Sequence, residues 1–199
     1  MDWNQRYRNE GYLFGTAPAA FLLRSAPLLP EGARVMCVAD GEGRNSVYLA
    51  GLGHEVTAFD PSDIGVAKAQ RLAVAEGVRV AHHVVSAEAW DWSLAFDAVV
   101  GVFIQFAPPA LRTWMLAQMA GAVRPGGLLL LHGYAPRQVG YGTGGPGDAA
   151  HMYTLDLLRG AFPGWEVLRA RDYDAVIDEG TGHSGRSGLV DFVARKPGV

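Results

Sequence analysis

Short apolar runs alternate with helical patterns from Arg34 onward. The first run begins at Arg34 and meets glycines, a helical pattern follows over Asn45–Leu52, and a second run covers His54–Phe59. Apolar runs of this length are typical of buried strands, and a glycine after a periodic segment is a common helix stop. The pattern predicts a strand, a helix and a second strand, which together form one βαβ unit.

The same alternation continues along the chain. Pro61 and Ser62 stand at the start of one later helical pattern, and Pro108 and Pro109 stand at the start of the next. Arg124–Gly127 is predicted to be a turn before the fifth strand. The last two strands have no helix between them, so the final strand is predicted to be antiparallel to its neighbours. The further helices are predicted at Pro61–Ala75, Leu111–Val123 and Thr154–Phe162, and the further strands at Val78–Val85, Phe96–Phe106, Leu128–Tyr134, Trp165–Asp172 and Leu189–Ala194.

Strands that alternate with helices indicate a mainly parallel sheet covered on both faces. The chain is therefore predicted to be an α/β protein with a single Rossmann-like, doubly wound, seven-stranded sheet, whose last strand is antiparallel. Residues 1–30 precede the sheet and are rich in aromatic side chains, so they are expected to form a docked helical segment or lid. Residues 31–199 are expected to form the ligand-binding part of one structural domain.

Composition and charge narrow the class of protein. The chain has 199 residues, of which 49% are hydrophobic and 19% charged, and a formal net charge of -3. This composition predicts a folded chain and gives no basic footprint for nucleic acid. The single cysteine, Cys37, the absence of an apolar signal core at the start and the short apolar runs lead us to expect a cytoplasmic protein without membrane contact. His82 and His83 point to opposite faces of a strand, so no metal site is predicted.

Glycine is the unusual residue, with 26 of 199, roughly twice the ~7% average. Four glycines lie between Gly41 and Gly53, where the first strand ends, and an acidic residue, Asp60, ends the second strand. Ligands of open parallel sheets bind at this edge, glycines allow close backbone approach, and an acid at this position can accept both ribose hydroxyls. The sequence therefore predicts a cofactor that contains adenosine.

The charges in the loop favour one such cofactor. A dinucleotide fingerprint would need a third glycine where Ser46 stands, and Asp40 and Glu42 would repel a diphosphate. The same two carboxylates suit the ammonium and sulfonium groups of S-adenosylmethionine. A nicotinamide-dependent oxidoreductase and a non-catalytic cofactor-binding or scaffold protein are the alternatives.

These residues resemble the class I S-adenosylmethionine-dependent methyltransferases, and within them the tellurite-resistance and thiopurine methyltransferase-like branch. The resemblance rests on the glycine loop Ala39–Ser46, the strand Gly53–Asp60, Phe96–Val100, and Arg124–Gly127. The N-terminal motifs Trp3–Tyr7 and Tyr12–Thr16 also resemble the segment that folds over the cofactor in that branch.

The resemblance implies which residues hold the cofactor. The loop would cradle its methionine part, Asp60 its ribose, and one of Ser86, Ala87 and Glu88 its adenine. The sequence departs from the family at Cys37, where an aspartate is usual, and at Ala39, where a glycine is usual. The full set of expected cofactor contacts is Trp3, Tyr12, Gly15, Ala39, Gly41, Glu42, Gly43, Asn45, Asp60, Pro61, Ser86, Ala87, Glu88 and Val102.

Methyl transfer needs alignment of two reactants more than a nucleophile on the protein. The expected acceptor is a small molecule such as a thiol, selenol or metalloid oxyanion, which ionises largely unaided, and the sequence leaves its identity and the oligomeric state open. A histidine beside an arginine suits an anionic acceptor, and by analogy with the family Gln105 would face the transferred methyl. The predicted catalytic residues are His183, Arg186, Gln105 and His132.

Overall fold

The computed structural model describes residues 2–198, so Met1 and Val199, the end residues of the two predicted segments, lie outside the described residues. The sheet has seven strands: β1 (Arg34–Val38), β2 (Glu55–Asp60), β3 (Ala81–Val84), β4 (Phe96–Val102), β5 (Val123–Tyr134), β6 (Glu166–Asp178) and β7 (Ser184–Arg195). The α-helices of the described chain are α1 (Trp3–Tyr7), α2 (Ala20–Ser25), α3 (Arg44–Gly51), α4 (Asp63–Ala75), α5 (Pro109–Ala122) and α6 (Leu155–Ala161).

The strand order is β3-β2-β1-β4-β5-β7-β6. The strands β1 to β5 pair in parallel, whereas β7 is antiparallel to both β5 and β6. Because β1 lies where the order reverses, its carboxyl end opens into the crevice in which doubly wound sheets bind ligands. The predicted fold class, including the antiparallel last strand, is confirmed.

Both faces of the sheet are covered, as the apolar runs predict. Along β1, Val35 and Cys37 pack on the face that carries α2 and α3, while Met36 and Val38 pack on the face that carries α5 and α6. This alternation follows from the period of two in a strand, and burial on both faces explains why the run is continuously apolar.

Local signals explain several element ends. The Ser62 hydroxyl accepts from the N–H of Gly65 at 2.9 Å and caps α4, and the Thr154 hydroxyl accepts from the N–H of Leu157 at 3.1 Å and caps α6. Gly77 follows α4 in the left-handed conformation, with a φ of 67°. Such caps satisfy the free N–H groups of a helix start, and a left-handed glycine stops a helix.

Several predicted boundaries were wrong. The strand β4 ends at Val102 instead of Phe106, because Phe103 has a φ of 55° and leaves the extended conformation. The third strand is shorter than predicted, and Arg124–Gly127 lies inside β5 as an irregular stretch where the pairing register with β4 shifts. The strands β6 and β7 form a longer hairpin than predicted, so the glycine-rich connection between them shortens to residues 179–183.

Within residues 2–198, every helix is too short or too polar to span a bilayer.

Candidate functional site

A cleft opens beyond the carboxyl ends of β1, β2 and β4. It holds about 1040 Å³ of space free of protein atoms, part of it open solvent at the mouth. The N-terminal segment forms one wall, the loop after β1 forms the floor, and the β6–β7 turn with the loop after β5 forms the other wall. Of the expected cofactor contacts, the cleft is bordered by Trp3, Ala39, Gly41, Asn45, Asp60, Pro61 and Val102.

The loop after β1 takes the shape that its glycines predict. Gly41 has a φ of 62°, and a Cβ there would lie 2.6 Å from the Tyr7 hydroxyl oxygen. Ala39 keeps a left-handed φ of 47° although it carries a side chain. Ala39 therefore keeps the left-handed backbone that suits the glycine usual at this position in the methyltransferases that the sequence resembles. Its Cβ makes this conformation strained, whereas glycine would adopt it without strain.

Asp60 ties the loop to the end of β2. Its carboxylate is buried and accepts from the N–H groups of Gly41 and Ser62, each at 2.9 Å. Burial raises the pKa of Asp60 to about 6, against the effect of these two hydrogen bonds. A carboxylate oxygen has two lone pairs, so Asp60 retains accepting capacity toward the cleft while it also shapes the loop.

Asp40 is the second carboxyl group of the cleft. Its Oδ2 accepts from the Ser46 hydroxyl at 2.5 Å. Burial, reinforced by the Asp60 carboxylate, raises the pKa of Asp40 to about 7. The cleft floor therefore carries two carboxyl groups, and a cation beside them would stabilise their ionised forms.

Glu42, one of the expected cofactor contacts, does not border the cleft. Glu42 points away from the cleft, where it accepts from the N–H of Leu13 at 2.7 Å and forms a 2.7 Å ion pair with Lys68. The neighbouring Gly43 is needed for packing, because a Cβ there would lie 2.5 Å from that of Ala69. Both residues support the cleft from behind.

Two more expected contacts of the N-terminal segment lie outside the lining. The Tyr12 hydroxyl donates to the Lys68 carbonyl at 3.1 Å, and Gly15 packs against the backbone of Gly180. The side chains that do reach the cleft from this segment are Trp3, Arg6, Tyr7 and Phe14. Trp3 stacks on Tyr7 with ring centroids 5.4 Å apart.

The three candidates for an adenine contact do not border the cleft. Ala87 is buried in the core among the residues beneath α5, Glu88 is exposed, and Ser86 starts a turn in which its carbonyl accepts from the N–H of Trp90 at 3.0 Å. Their predicted role has no support from the cleft geometry.

His183 is the predicted catalytic residue that the structure places most clearly in the cleft. Its Nδ1 lies 2.6 Å from the Tyr134 hydroxyl, and its ring lies between Phe14 and Phe103. Burial, reinforced by Arg44, lowers the pKa of His183 to about 3. The imidazole is therefore neutral at pH 7.

Gln105 borders the cleft but its amide is occupied. It donates to the Tyr134 carbonyl at 2.8 Å and accepts from the Tyr134 N–H at 2.6 Å. Its oxygen and one N–H thus replace strand pairing at the end of β5. Gln105 positions Tyr134, and a contact with the transferred methyl stays a prediction.

His132 and Arg186 lie outside the cleft lining. His132 is buried below it, with Nδ1 2.8 Å from Asp191 and its ring stacked on Phe21. Arg186 is exposed on β7, where it pairs with Asp174 at 3.0 Å. His183 lies in the turn before β7, whereas Arg186 lies within β7 and is held by Asp174 of the adjacent strand β6, so Arg186 does not accompany His183 into the cleft.

An arginine that sequence reasoning missed, Arg44, stands in the place expected of Arg186. Arg44 begins α3 and borders the cleft, and its Nη2 forms a buried 2.8 Å ion pair with Glu179 of the β6–β7 turn. Its Nη1 is buried without a hydrogen-bond partner. A cation in the first turn of a helix is unfavourable, because it opposes the helix dipole. Its presence in the sequence at the start of α3 could have indicated that Arg44 has an acidic partner or a ligand.

His82 and His83 lie in different surroundings. Burial lowers the pKa of His82 to about 4, and the ring of His83 contacts Trp90 with centroids 5.3 Å apart. Residues 2–198 contain no group of three or more histidine, cysteine or acidic side chains arranged to hold a metal ion.

Comparison with protein families and relatives agrees with this geometry. A family model described as a methyltransferase domain matches residues 35–127. The ubiquinone biosynthesis O-methyltransferase of Xanthomonas axonopodis pv. citri is 36% identical over 110 residues, which are 54% of this chain and 45% of that protein. The chain spans less than half the length of the curated relatives it matches.

Solved structures show the same fold at low sequence identity. TehB from Haemophilus influenzae is 17% identical with a TM-score of 0.73, covering 98% of this chain and 65% of that one. A structure described by the conversion of a disulfide bond into a thioacetal group during echinomycin biosynthesis is 21% identical with a TM-score of 0.78, covering 98% and 90%. Magnesium protoporphyrin IX methyltransferase from Synechocystis, solved with bound S-adenosylmethionine, is 19% identical with a TM-score of 0.63, covering 89% and 75%.

Over residues 35–127 the chain is therefore similar to a methyltransferase domain, and the curated relatives it matches include O-methyltransferases, in agreement with the predicted enzyme class. The match covers the glycine loop, Asp60 and the start of β5. It does not extend to the N-terminal segment or the β6–β7 turn, which are the parts of the chain that build the remaining walls of the cleft.

Proposed function

We propose that the chain transfers the methyl group of S-adenosylmethionine to a small nucleophile such as a thiol, selenol or metalloid oxyanion. The observation that carries the proposal is the pair of carboxyl groups, Asp40 and Asp60, on the floor of the cleft beside the close backbone approach at Gly41. The cofactor supplies an activated methyl group on a sulfonium sulfur.

The residues of the floor fit the cofactor's chemistry. Asp60 lies at the end of β2 with free lone pairs for ribose hydroxyls, and Asp40 supplies a negative charge for the ammonium group. A diphosphate would face both carboxylates at close range, so the same floor disfavours a dinucleotide. The third glycine of a dinucleotide fingerprint is replaced by Ser46. Ser46 is fully buried, and its hydroxyl donates to Asp40.

The other half of the cleft supports a small acceptor. Its wall consists of Phe14, Phe103 and Tyr134 together with the loop at Gly144 and Gly145. A Cβ at Gly144 would lie 2.8 Å from the Tyr134 hydroxyl oxygen, and one at Gly145 would lie 2.7 Å from the Tyr134 ring. Backbone so close to the aromatic wall leaves little width for an acceptor.

The chain's part in the reaction is alignment and exclusion of water. In the displacement, a lone pair of the acceptor forms the new bond to the methyl carbon while the carbon–sulfur electron pair returns to sulfur. The aromatic wall and the N-terminal segment with Trp3 and Tyr7 shield the cleft from solvent. An acceptor that is already ionised needs no proton removed by the protein.

The test is a screen for the demethylated cofactor, S-adenosylhomocysteine, released in the presence of thiols, selenite or tellurite. We expect repeated turnover with at least one of these acceptors, loss of turnover in Asp60→Asn, and unchanged turnover in Arg195→Gln, whose exposed ion pair with Glu166 lies at the opposite end of β7. Cofactor binding without turnover on any of them would contradict the acceptor class.

A further inference from the structure

The Tyr134–His183 contact determines which ring nitrogen of His183 carries the proton. The hydroxyl oxygen of Tyr134 and Nδ1 of His183 are 2.6 Å apart, and the planes of the two rings are nearly parallel, with an angle of 6° between them. Both side chains border the cleft. At this distance the two atoms share one hydrogen bond, in which either the Tyr134 hydroxyl or a protonated Nδ1 is the donor. The surrounding groups determine which of the two donates.

The charges around the pair keep both groups neutral. Arg44, His132 and Arg6 disfavour a proton on His183, and Glu179 disfavours loss of the proton from Tyr134. Burial raises the pKa of Tyr134 and lowers that of His183. At pH 7 the pair therefore holds one hydroxyl proton and one imidazole proton.

The two possible arrangements differ in where the proton without a protein acceptor lies: a proton on Nε2 faces the cleft, where solvent can accept from it, whereas the Tyr134 hydroxyl is buried. If Nδ1 carried the imidazole proton and donated to the tyrosine oxygen, the hydroxyl proton would need another acceptor. Among residues 2–198, His183 is the one hydrogen-bond partner of the Tyr134 hydroxyl. A buried donor without a partner costs about 1–3 kcal/mol, so the hydroxyl donates to Nδ1 and the imidazole proton resides on Nε2.

We propose that Tyr134 is a positioning residue that holds His183 in the Nε2–H tautomer, so that His183 donates a hydrogen bond to the methyl acceptor and does not act as its base. This inference rests on the proposed function for the identity of the acceptor, but the tautomer itself does not. Nε2 has no hydrogen-bond partner within the described chain, and it is the nitrogen left to meet a molecule in the cleft.

The rest of the structure locks Tyr134 in place. Gln105 binds both its N–H and its carbonyl, and the backbone of Gly144 and Gly145 closes on its ring. Phe103 touches both Tyr134 and His183, with ring centroids 4.7 and 4.1 Å away. The hydroxyl therefore cannot turn away from Nδ1 without moving the wall of the cleft.

The tautomer narrows the acceptor class. A donor at Nε2 stabilises an acceptor that arrives with a free lone pair, such as a thiolate, a selenolate or an oxyanion. It offers no help to a phenol or carbon acid that must lose its proton during the reaction. Acceptors of low pKa should therefore react faster than alcohols and phenols of the same size.

The direct test is nuclear magnetic resonance of the full chain with ¹⁵N-labelled histidine, with the His183 signals assigned by their loss in His183→Asn. We expect a pyrrole-type shift for Nε2 and a pyridine-type shift for Nδ1 in the wild-type chain, and a mixture of tautomers in Tyr134→Phe. A protonated Nδ1 in the wild type, or identical His183 shifts in Tyr134→Phe, would overturn the proposal.

A matched control separates this contact from a general effect of losing a hydroxyl. Tyr141→Phe makes the same chemical change where the hydroxyl donates to Asp174 outside the cleft, and it should leave the His183 shifts unchanged. Turnover should fall about tenfold or more in Tyr134→Phe, with unchanged affinity for S-adenosylhomocysteine. Failure of the wild type to bind that cofactor product would contradict the proposed function and leave the tautomer readout intact.

Discussion

Nζ of Lys68 lies 2.7 Å from Oε1 of Glu42 in an almost fully buried ion pair below the cofactor loop. The same ammonium donates to the Gly11 carbonyl at 2.6 Å, and the same carboxylate accepts from the N–H of Leu13 at 2.7 Å. The ion pair therefore holds the N-terminal segment against α4 and so fixes the wall of the cleft that carries Trp3 and Phe14.

Removing one partner of this pair should be costly. In Glu42→Ala the buried Lys68 loses its counter-ion, and we expect a loss of about 3–5 kcal/mol in the free energy of unfolding. Urea unfolding measures it, with Glu55→Ala as the matched control, because the Arg34–Glu55 pair is exposed and 3.8 Å long and should contribute only about 0–1 kcal/mol. Equal losses in the two variants would contradict the role given to Glu42.

Asp60→Asn should weaken cofactor binding. The amide keeps one accepting oxygen but places an N–H₂ against the N–H of Gly41 or Ser62, and it removes the negative charge. We expect the affinity for S-adenosylhomocysteine to fall at least about tenfold, or about 1.4 kcal/mol. Calorimetry measures it, with Asp63→Asn at the exposed start of α4 as control; unchanged affinity in Asp60→Asn would mean that Asp60 acts on the loop and the helix start alone.

Cofactor affinity should depend on pH through Asp40. Its pKa is raised to about 7, chiefly by burial, so below that pH the group is increasingly protonated and loses its attraction for an ammonium group. Affinity should therefore rise between about pH 5.5 and about pH 7, where an α-amino group with a pKa of about 8 is still mostly charged. Asp40→Asn should flatten the upper part of this rise, and an equally steep profile in the variant would assign the titration to another group.

Ala39→Gly should stabilise the chain. Ala39 has a φ of 47°, which costs a residue with a Cβ roughly 1 kcal/mol and costs glycine little. We expect the variant to unfold at a Tm about 2–4 °C higher. The control is Ala67→Gly inside α4, where glycine should cost about 1 kcal/mol, and a lower Tm in both variants would show that the Ala39 backbone is not strained.

The sequence predicted the fold because each signal was local. Apolar runs, the caps Ser62 and Thr154 and the glycine after α4 act within a few residues, and the alternation of strands with helices indicated a mainly parallel sheet. The wrong boundaries lie where tertiary contacts decide the conformation, as at Phe103, whose positive φ is held by packing against His132, Tyr134 and His183.

The cleft was predictable only in part. Asp60, Gly41 and Ala39 lie at strand ends, so topology alone places them. The burial of Glu42 outside the cleft lining was not predictable, because its partner, Lys68, lies 26 residues away. Arg44 was missed because its partner, Glu179, lies 135 residues away across the sheet. Cys37, where the family usually has an aspartate, packs beside α3, and the acid that borders the cleft is Asp40.

Calorimetry of the full chain with S-adenosylmethionine, S-adenosylhomocysteine and NAD shows which class of cofactor the cleft binds. The two carboxyl groups on the cleft floor predict that both adenosyl ligands bind at one site per chain, that Asp60→Asn weakens both, and that NAD gives no binding heat. Binding of NAD without binding of S-adenosylmethionine or S-adenosylhomocysteine would rule out the proposed cofactor, and binding of none of the three would favour a scaffold over an enzyme.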